Sequence, residues 1–184
     1  MIMELPSGLL YLPDFVTNDE EDDLLVRIAA FETWESTVFR GQVARRKSVS
    51  FGHGYVATSH GLSDAPPLPD FLAALRDRAA ARAVESVEVF TQAIVWRYPR
   101  GSGIGWHRDA QVFGPDVLSL SLGSRCRFEL RRDGHETVRM VIEPGSLLAI
   151  GGEARCAWQH RIPPVREERH SITFRSIAPG RGRP

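Results

Sequence analysis

Lysine is almost absent from this chain: Lys47 is the single one, so 22 of the 23 cationic residues are arginine. Arginine forks suit carboxylate and phosphate partners, although a GC-rich coding sequence yields the same bias. The 23 cations are matched by 23 acids, and a chain of zero formal charge has no overall field with which to draw in a polyanion. Cysteine is scarce too. Cys126 and Cys156 make neither a disulfide framework nor a zinc spacing, which suits a reducing, cytoplasmic setting. No stretch approaches the ~20 apolar residues that span a bilayer, and the opening "MIMELPSGLLYLPDF" lacks the basic start and long apolar run of a signal peptide. A cytoplasmic monomer without membrane contact is expected. The 184 residues suffice to bury a core without covalent staples.

Two amphipathic helices are legible in the first half. Thr17 and Glu20 form a capping-box pattern, and acidic residues 19–23 crowd a first turn where the helix dipole favours them. Leu24, Leu25, Ile28 and Phe31 then mark the buried stripe of a helix near 18–31. A second helix is predicted in "PLPDFLAALRDRAAARAV", entered through its prolines, with Phe71, Leu72 and Leu75 inward. Between them, "RRKSVSFGHGYVATSHGLSDAPP" reads as extended pieces around a glycine-bearing loop.

From about residue 87 the period becomes two. Leu118, Leu120 and Leu122 alternate with Ser119 and Ser121, and Cys126, Phe128 and Leu130 alternate with Arg125, Arg127, Glu129 and Arg131. Asp133-Gly134 signals a hairpin, Val138, Met140 and Ile142 line the returning strand, and Pro144-Gly145 turns the chain into "SLLAI". Short strands at this spacing predict an antiparallel barrel or sandwich, of which a jelly roll is one solution, braced on one face by two helices. The fold class is α+β, mainly β.

Three stretches carry candidate chemistry. "GWHRDAQVF" sets His107 and Asp109 two residues apart, on one face if the stretch is a strand. Alone the pair is weak evidence, because a surface loop gives the same spacing. "ARCAWQHRI" reads as a strand with Ala154, Cys156, Trp158, His160 and Ile162 on one face, where a histidine is ordinarily a hydrogen-bonded core residue. Taken together, His107, Asp109 and His160 are the two-histidine, one-carboxylate set that leaves positions open on ferrous iron. In "RHSITFRSI", Arg169, Ser171, Thr173 and Arg175 share a face opposite His170, Ile172 and Phe174. The apolar face must be core. The other is either a solvated surface or an anion pocket whose two arginines clamp the ends of a dicarboxylate. Upstream, Trp96 and Tyr98 share a strand face leading to the glycine-rich bend before His107, where such rings can close a pocket or simply pack.

The order HxD, then a distant His, then RxSxTxR resembles the AlkB family of Fe(II)- and 2-oxoglutarate-dependent dioxygenases, clearly over 90–177 and more loosely over "RRKSVSFGHGY" at 45–55. The resemblance implies one domain, 1–184. Its catalytic core over 87–178 would be a double-stranded β-helix (jelly roll). An N-terminal helical and strand-loop extension over 1–86 would supply support helices and a substrate lid. It implies Fe(II) held by His107, Asp109 and His160, with 2-oxoglutarate and O2 as cosubstrates. Tyr98 and Arg169 would hold the far carboxylate of 2-oxoglutarate, and Arg175 the end near the metal. Trp96 and Ser171 stand where many members have asparagine, so the cosubstrate's hydrogen bonding differs in detail. Gln111 stands where some repair members have an acid that handles the base.

The reaction implied is oxidative demethylation of N-alkylated bases in DNA or RNA, yielding succinate, CO2 and formaldehyde. Single-stranded DNA or RNA is the expected partner, since its bases need no extrusion from a duplex. Arg40, Arg45, Arg46 and Lys47 would follow the phosphates, with Phe39, Phe51 and Tyr55 beside them for stacking. Arg45, Arg46, Phe51 and Tyr55 are therefore the candidate substrate contacts, although a solvated charged face with core aromatics reads the same way. "RRKSVSFGHGY" and "VLSLSLGS" look closer to the tRNA-modifying branch, which leaves hydroxylation or demethylation of a tRNA base open, along with protein hydroxylation. A cupin-like module that binds a small acid at a structural metal, consuming no 2-oxoglutarate, is the non-enzymatic alternative.

Overall fold

The computed structural model describes residues 5–39, 42–56, 61–84 and 90–179. β1 (Leu9–Leu12) leads into α1 (Asn18–Ala29). β2 (Glu35–Phe39) and β3 (Gln42–Phe51) pair, a small hairpin of β4 (His53–Val56) and β5 (Gly61–Asp64) follows, and α2 (Asp70–Ala83) closes the first half. The rest comprises β6 (Gln92–Tyr98), β7 (Ile104–His107), β8 (Phe113–Leu122), β9 (Cys126–Arg131), β10 (Val138–Ile142), β11 (Leu147–Ile150), the short helix α3 (Gly152–Cys156), β12 (Gln159–Ile162) and β13 (Arg169–Ile177). A large antiparallel sheet runs β1-β11-β8-β13-β6-β3-β2, and a small one runs β10-β9-β12-β7. This is the mainly β, antiparallel architecture that the alternation predicts, in the jelly-roll form that the family resemblance implies.

Strand alternation divides the interior in two. Leu118, Leu120, Leu122, Ile172 and Phe174 leave one face of the large sheet and pack with Leu24, Ile28, Leu72 and Leu75 of the two helices. Full burial of each such side chain contributes roughly 1.5–3 kcal/mol. The other face meets the small sheet, with Tyr98, Val117, Leu148 and Ile150 against Cys126, Phe128, Leu130 and Ile142. α1 starts at the predicted cap: the Thr17 hydroxyl accepts from the Glu20 N–H at 3.2 Å, and the Glu20 carboxylate accepts from the Thr17 N–H at 2.9 Å. Cys126 and Cys156 are free thiols, and among the described residues no helix is long and apolar enough to cross a membrane.

Three features correct the sequence reading. The first half does more than brace: β3 pairs with β6 from Lys47↔Arg97 to Phe51↔Ala93, and β1 pairs with β11. Strands from both sides of residue 87 thus share one sheet. "ARCAWQHRI" is not a continuous strand. Gly152, at φ +49, opens the turn of α3, and the strand begins only at Gln159. β7 ends at His107, so Asp109 sits in the loop 108–112 instead of on a strand face.

Candidate functional site

The space between the sheets is a pocket lined by both halves of the predicted constellation: His107, Asp109 and His160, together with Tyr98, Arg169 and Arg175. The small sheet supplies the histidines. His160 on β12 is the direct cross-strand partner of His107 on β7, and their rings stand 4.3 Å apart between centroids. The His107 Nδ1–H donates to the Gly105 carbonyl at 2.8 Å, which leaves Nε2 with its lone pair toward a ligand position. Burial lowers the His107 pKa against the pull of Asp109. Burial also pushes His160 down, to about 4, helped by the neighbouring His107 and opposed by Asp109. Both imidazoles are therefore neutral at pH 7, the form that ligates metals.

Asp109 is placed by arginines. Its Oδ1 accepts from Arg175 Nη2 at 2.5 Å, and its Oδ2 lies 3.7 Å from His160 Nε2. Burial alone would raise its pKa, but the neighbouring positive charge, Arg175 foremost and Arg155 with it, prevails and holds the carboxyl well below its ordinary range. Arg155, on α3, donates from its two terminal nitrogens to the backbone carbonyls of Asp109 and Ala110, both at 3.0 Å. Among the described residues no three His, Cys, Asp or Glu side chains are gathered closely enough to hold a metal ion as they stand; Asp109 leans toward Arg175 instead. The donor chemistry nevertheless fits Fe(II), because two neutral imidazoles and one ionised carboxylate converge from adjacent segments.

Arg155 was invisible to sequence reasoning because α3 reads as strand. It acts on the backbone that carries a candidate ligand, as partners that orient ligands do. Arg155→Met should weaken Mn(II) or Fe(II) binding by roughly 10- to 100-fold, with partial recovery in Arg155→Lys. A titration giving the wild-type metal affinity for the Met variant would reduce Arg155 to a structural role.

The far end of the pocket is built for an anion. Arg169 is 3% exposed, and its Nε donates to Ser121 Oγ at 3.0 Å. Its guanidinium carbon lies 5.2 Å from the Tyr98 ring centroid, and Nη1 is buried with no partner. Among the described residues no carboxylate pairs with it. Burial raises the Tyr98 phenol against the opposing charge of Arg169, which keeps it a donor. The face bearing Arg169, Ser171, Thr173 and Arg175 thus lines a pocket and is not a solvated surface. Ser119 and Ser121, which the sequence showed only as the polar half of an alternation, face the same space; Ser119 Oγ is 3.5 Å from Thr173 Oγ1. The two departures from the family pattern, Trp96 and Ser171, prove to be direct cross-strand partners. A large residue beside a small one keeps that layer filled. Arg175, on the same face, gives Nη2 to Asp109 and so joins this face to the candidate ligand set.

The predicted substrate contacts separate. Alternation along β3 splits the basic run: Arg45 and Lys47 are exposed, with Arg45 hydrogen-bonded to the Arg100 carbonyl at 3.2 Å. Only Arg46 turns toward the pocket, its guanidinium carbon 4.9 Å from the Trp96 ring centroid and its Nε buried without a partner. Phe51 follows Val49 into the helix-side core and packs on Phe31 at 5.3 Å, so it does not reach the site. Tyr55 on β4 does, with its ring 5.4 Å from Phe113. Burial raises the Tyr55 phenol, Arg175 opposes that shift and Asp109 adds to it. Gln92, also missed, ties this hairpin to the sheet by donating to the His53 carbonyl at 2.8 Å. Arg40 lies outside the described residues, as does the side chain of Phe39.

A family profile described as the 2OG-Fe(II) oxygenase superfamily matches residues 8–181. The chain is 27% identical over 164 residues to the Mus musculus tRNA (carboxymethyluridine(34)-5-O)-methyltransferase ALKBH8, covering 87% of this chain and 25% of that protein. It is 30% identical over 174 residues to the Bos taurus DNA oxidative demethylase ALKBH2, covering 84% and 59%. It therefore spans about a quarter of the first relative and under two thirds of the second. Among solved structures, OsALKBH1 aligns with a TM-score of 0.73 at 18% identity, over 95% of this chain and 99% of that one. A 2OG-Fe(II) oxygenase family oxidoreductase from Burkholderia pseudomallei aligns at 0.70 and 17%, over 96% and 90%. These structural likenesses speak for the fold.

Proposed function

Since the chain belongs to the AlkB family within the 2OG-Fe(II) oxygenase superfamily, we propose that its pocket oxidatively demethylates N-alkylated bases of single-stranded DNA or RNA. The observation that carries this reading is Arg169: a buried guanidinium with an orphaned nitrogen and no paired carboxylate among the described residues, lining the same pocket as a two-histidine, one-carboxylate set. A buried cation of that kind needs an anion from outside the chain.

His107, Asp109 and His160 would hold the iron, which when bound with 2-oxoglutarate and O2 supplies the oxidising power to hydroxylate an N-methyl group, with loss of succinate, CO2 and formaldehyde. Arg169 and the Tyr98 hydroxyl take the far carboxylate of the keto acid, and Arg175 fixes Asp109 while presenting positive charge to the near end. Val117, Phe128, Leu148 and Ile162 wall the pocket with apolar surface and keep water from competing. Arg46 and Tyr55 stand at its edge to receive the base and its flanking phosphate.

Hydroxylation or demethylation of a tRNA base is the second reading, favoured by the ALKBH8 likeness over 87% of the chain. Formaldehyde and succinate measured together on each substrate separate demethylation from hydroxylation, and the substrate that turns over separates methylated oligonucleotides from tRNA. Oligonucleotides carrying 1-methyladenine or 3-methylcytosine should yield both products in equal amounts. Succinate without formaldehyde, from a tRNA substrate, would replace demethylation by stable hydroxylation.

A further inference from the structure

The outer face of the small sheet is loaded with arginine. Cys126, Phe128 and Leu130 of β9 point into the barrel, as do Val138 of β10 and Ile162 of β12. Alternation therefore turns Arg127 and Arg131 of β9, Arg139 of β10 and Arg161 of β12 outward. Trp106 joins them. β7 pairs His107 with His160 and Ile104 with Ile162 across a register shift, which sends Trp106 out while its neighbour His107 enters the pocket.

Arg131, Arg161 and Trp106 are held in place before any partner arrives. The guanidinium carbons of Arg131 and Arg161 lie 4.4 and 4.5 Å from the Trp106 ring centroid, and Arg131 also donates to Gln159 at 2.9 Å. Glu129 is the one acid among the outward strand positions. Its side chain is only 4% exposed, covered by Arg161 at 2.6 Å and Arg139 at 3.9 Å. Four guanidiniums and one carboxylate leave three net positive charges (4 − 1 = 3) on a single face of a chain whose formal charge is zero. Arg139 and Arg161 flank Glu129 across the strands and Arg127 and Arg131 flank it along β9; planar forks spread in this way suit a partner that repeats one monoanion per unit and accepts bidentate hydrogen bonds.

We propose that this face is a track for the phosphodiester backbone of the strand whose base enters the pocket. It rests on the nucleic-acid reading above, and it begins one residue from the candidate ligand His107. A macromolecule bound there would gain affinity by counterion release without any base contact, so the track would serve many sequences.

The test uses the full chain and fluorescein-labelled, unmethylated 15-mers of single-stranded DNA and RNA, titrated by anisotropy over a range of salt. The variant R127Q/R131Q/R139Q should lower the salt slope by about 2, near 0.7 for each lost single-strand contact, and should weaken binding at least tenfold at low salt. Arg82→Gln, which removes an exposed charge from α2, should behave as wild type. Succinate formation without nucleic acid should be unchanged in the triple variant, which keeps the pocket intact. Wild-type affinity and slope in the triple variant would overturn the track, and so would an equal loss in Arg82→Gln. Wild-type protein that binds polyglutamate through these arginines but neither oligonucleotide would overturn it in favour of an acidic protein. Binding lost in the triple variant, with no formaldehyde from any methylated oligonucleotide in wild type, upholds the track and removes only the demethylation reading.

Discussion

Asp109→Ala should abolish succinate formation from 2-oxoglutarate and should also lower the melting temperature of the metal-free protein. The first effect follows from the chemistry of the set: without its only carboxylate, two neutral imidazoles are left to hold a divalent metal. The second follows from the neighbours. Arg175 keeps a side-chain exposure of only 12% and gives Nη2 to Asp109, while Arg155 serves the same loop. Removing the acid leaves buried positive charge uncompensated, a loss of about 3–5 kcal/mol when one partner of a buried pair is deleted. Asp109→Asn should lose turnover too but melt closer to wild type, because the amide oxygen still accepts from Arg175. Turnover at the wild-type rate in either variant would remove Asp109 from the metal site.

Arg169→Ala should raise the 2-oxoglutarate concentration needed for half-maximal turnover by about thirty-fold to a few thousand-fold. That range is the roughly 2–5 kcal/mol lost when one member of a desolvated, hydrogen-bonded charge pair is truncated, converted at 1.4 kcal/mol per decade. Metal affinity should stay close to wild type, because Arg169 touches Ser121 and Tyr98 but none of the candidate ligands. Equal 2-oxoglutarate affinity in variant and wild type, measured by calorimetry, would mean that the orphaned guanidinium does not receive the keto acid.

Period and motif together made much of this legible. The leucines of "VLSLSLG" fixed one face of β8 to the helix-side core, which by alternation commits Ser119 and Ser121 to the pocket. Likewise the apolar Ile172 and Phe174 commit Arg169, Ser171, Thr173 and Arg175 to the opposite face. What stayed hidden depends on register and on breaks in the period. The "RRK" run looks like one basic patch until β3 pairs with β6 and sends Arg46 to one side and Arg45 and Lys47 to the other. Phe51 shares the parity of Val49 and so belongs to the core, a fact that depends on where the strand begins. Gly151 and Gly152 convert an apparently alternating stretch into α3, and with it a candidate core stripe becomes the platform for Arg155. The HxD pair is brought together by arginines from α3 and β13, not by a shared strand face.

Anaerobic titration with Fe(II) and 2-oxoglutarate, followed by visible absorption, decides whether the two-histidine, one-carboxylate set and the arginine-lined pocket are a single site. A keto acid chelated to ferrous iron produces a charge-transfer band that neither component shows alone. The expected result is a band that needs both additions, saturates at one iron and one 2-oxoglutarate per chain, and disappears in His160→Ala. Tight 2-oxoglutarate binding that is indifferent to iron, with no band at saturation, would contradict it.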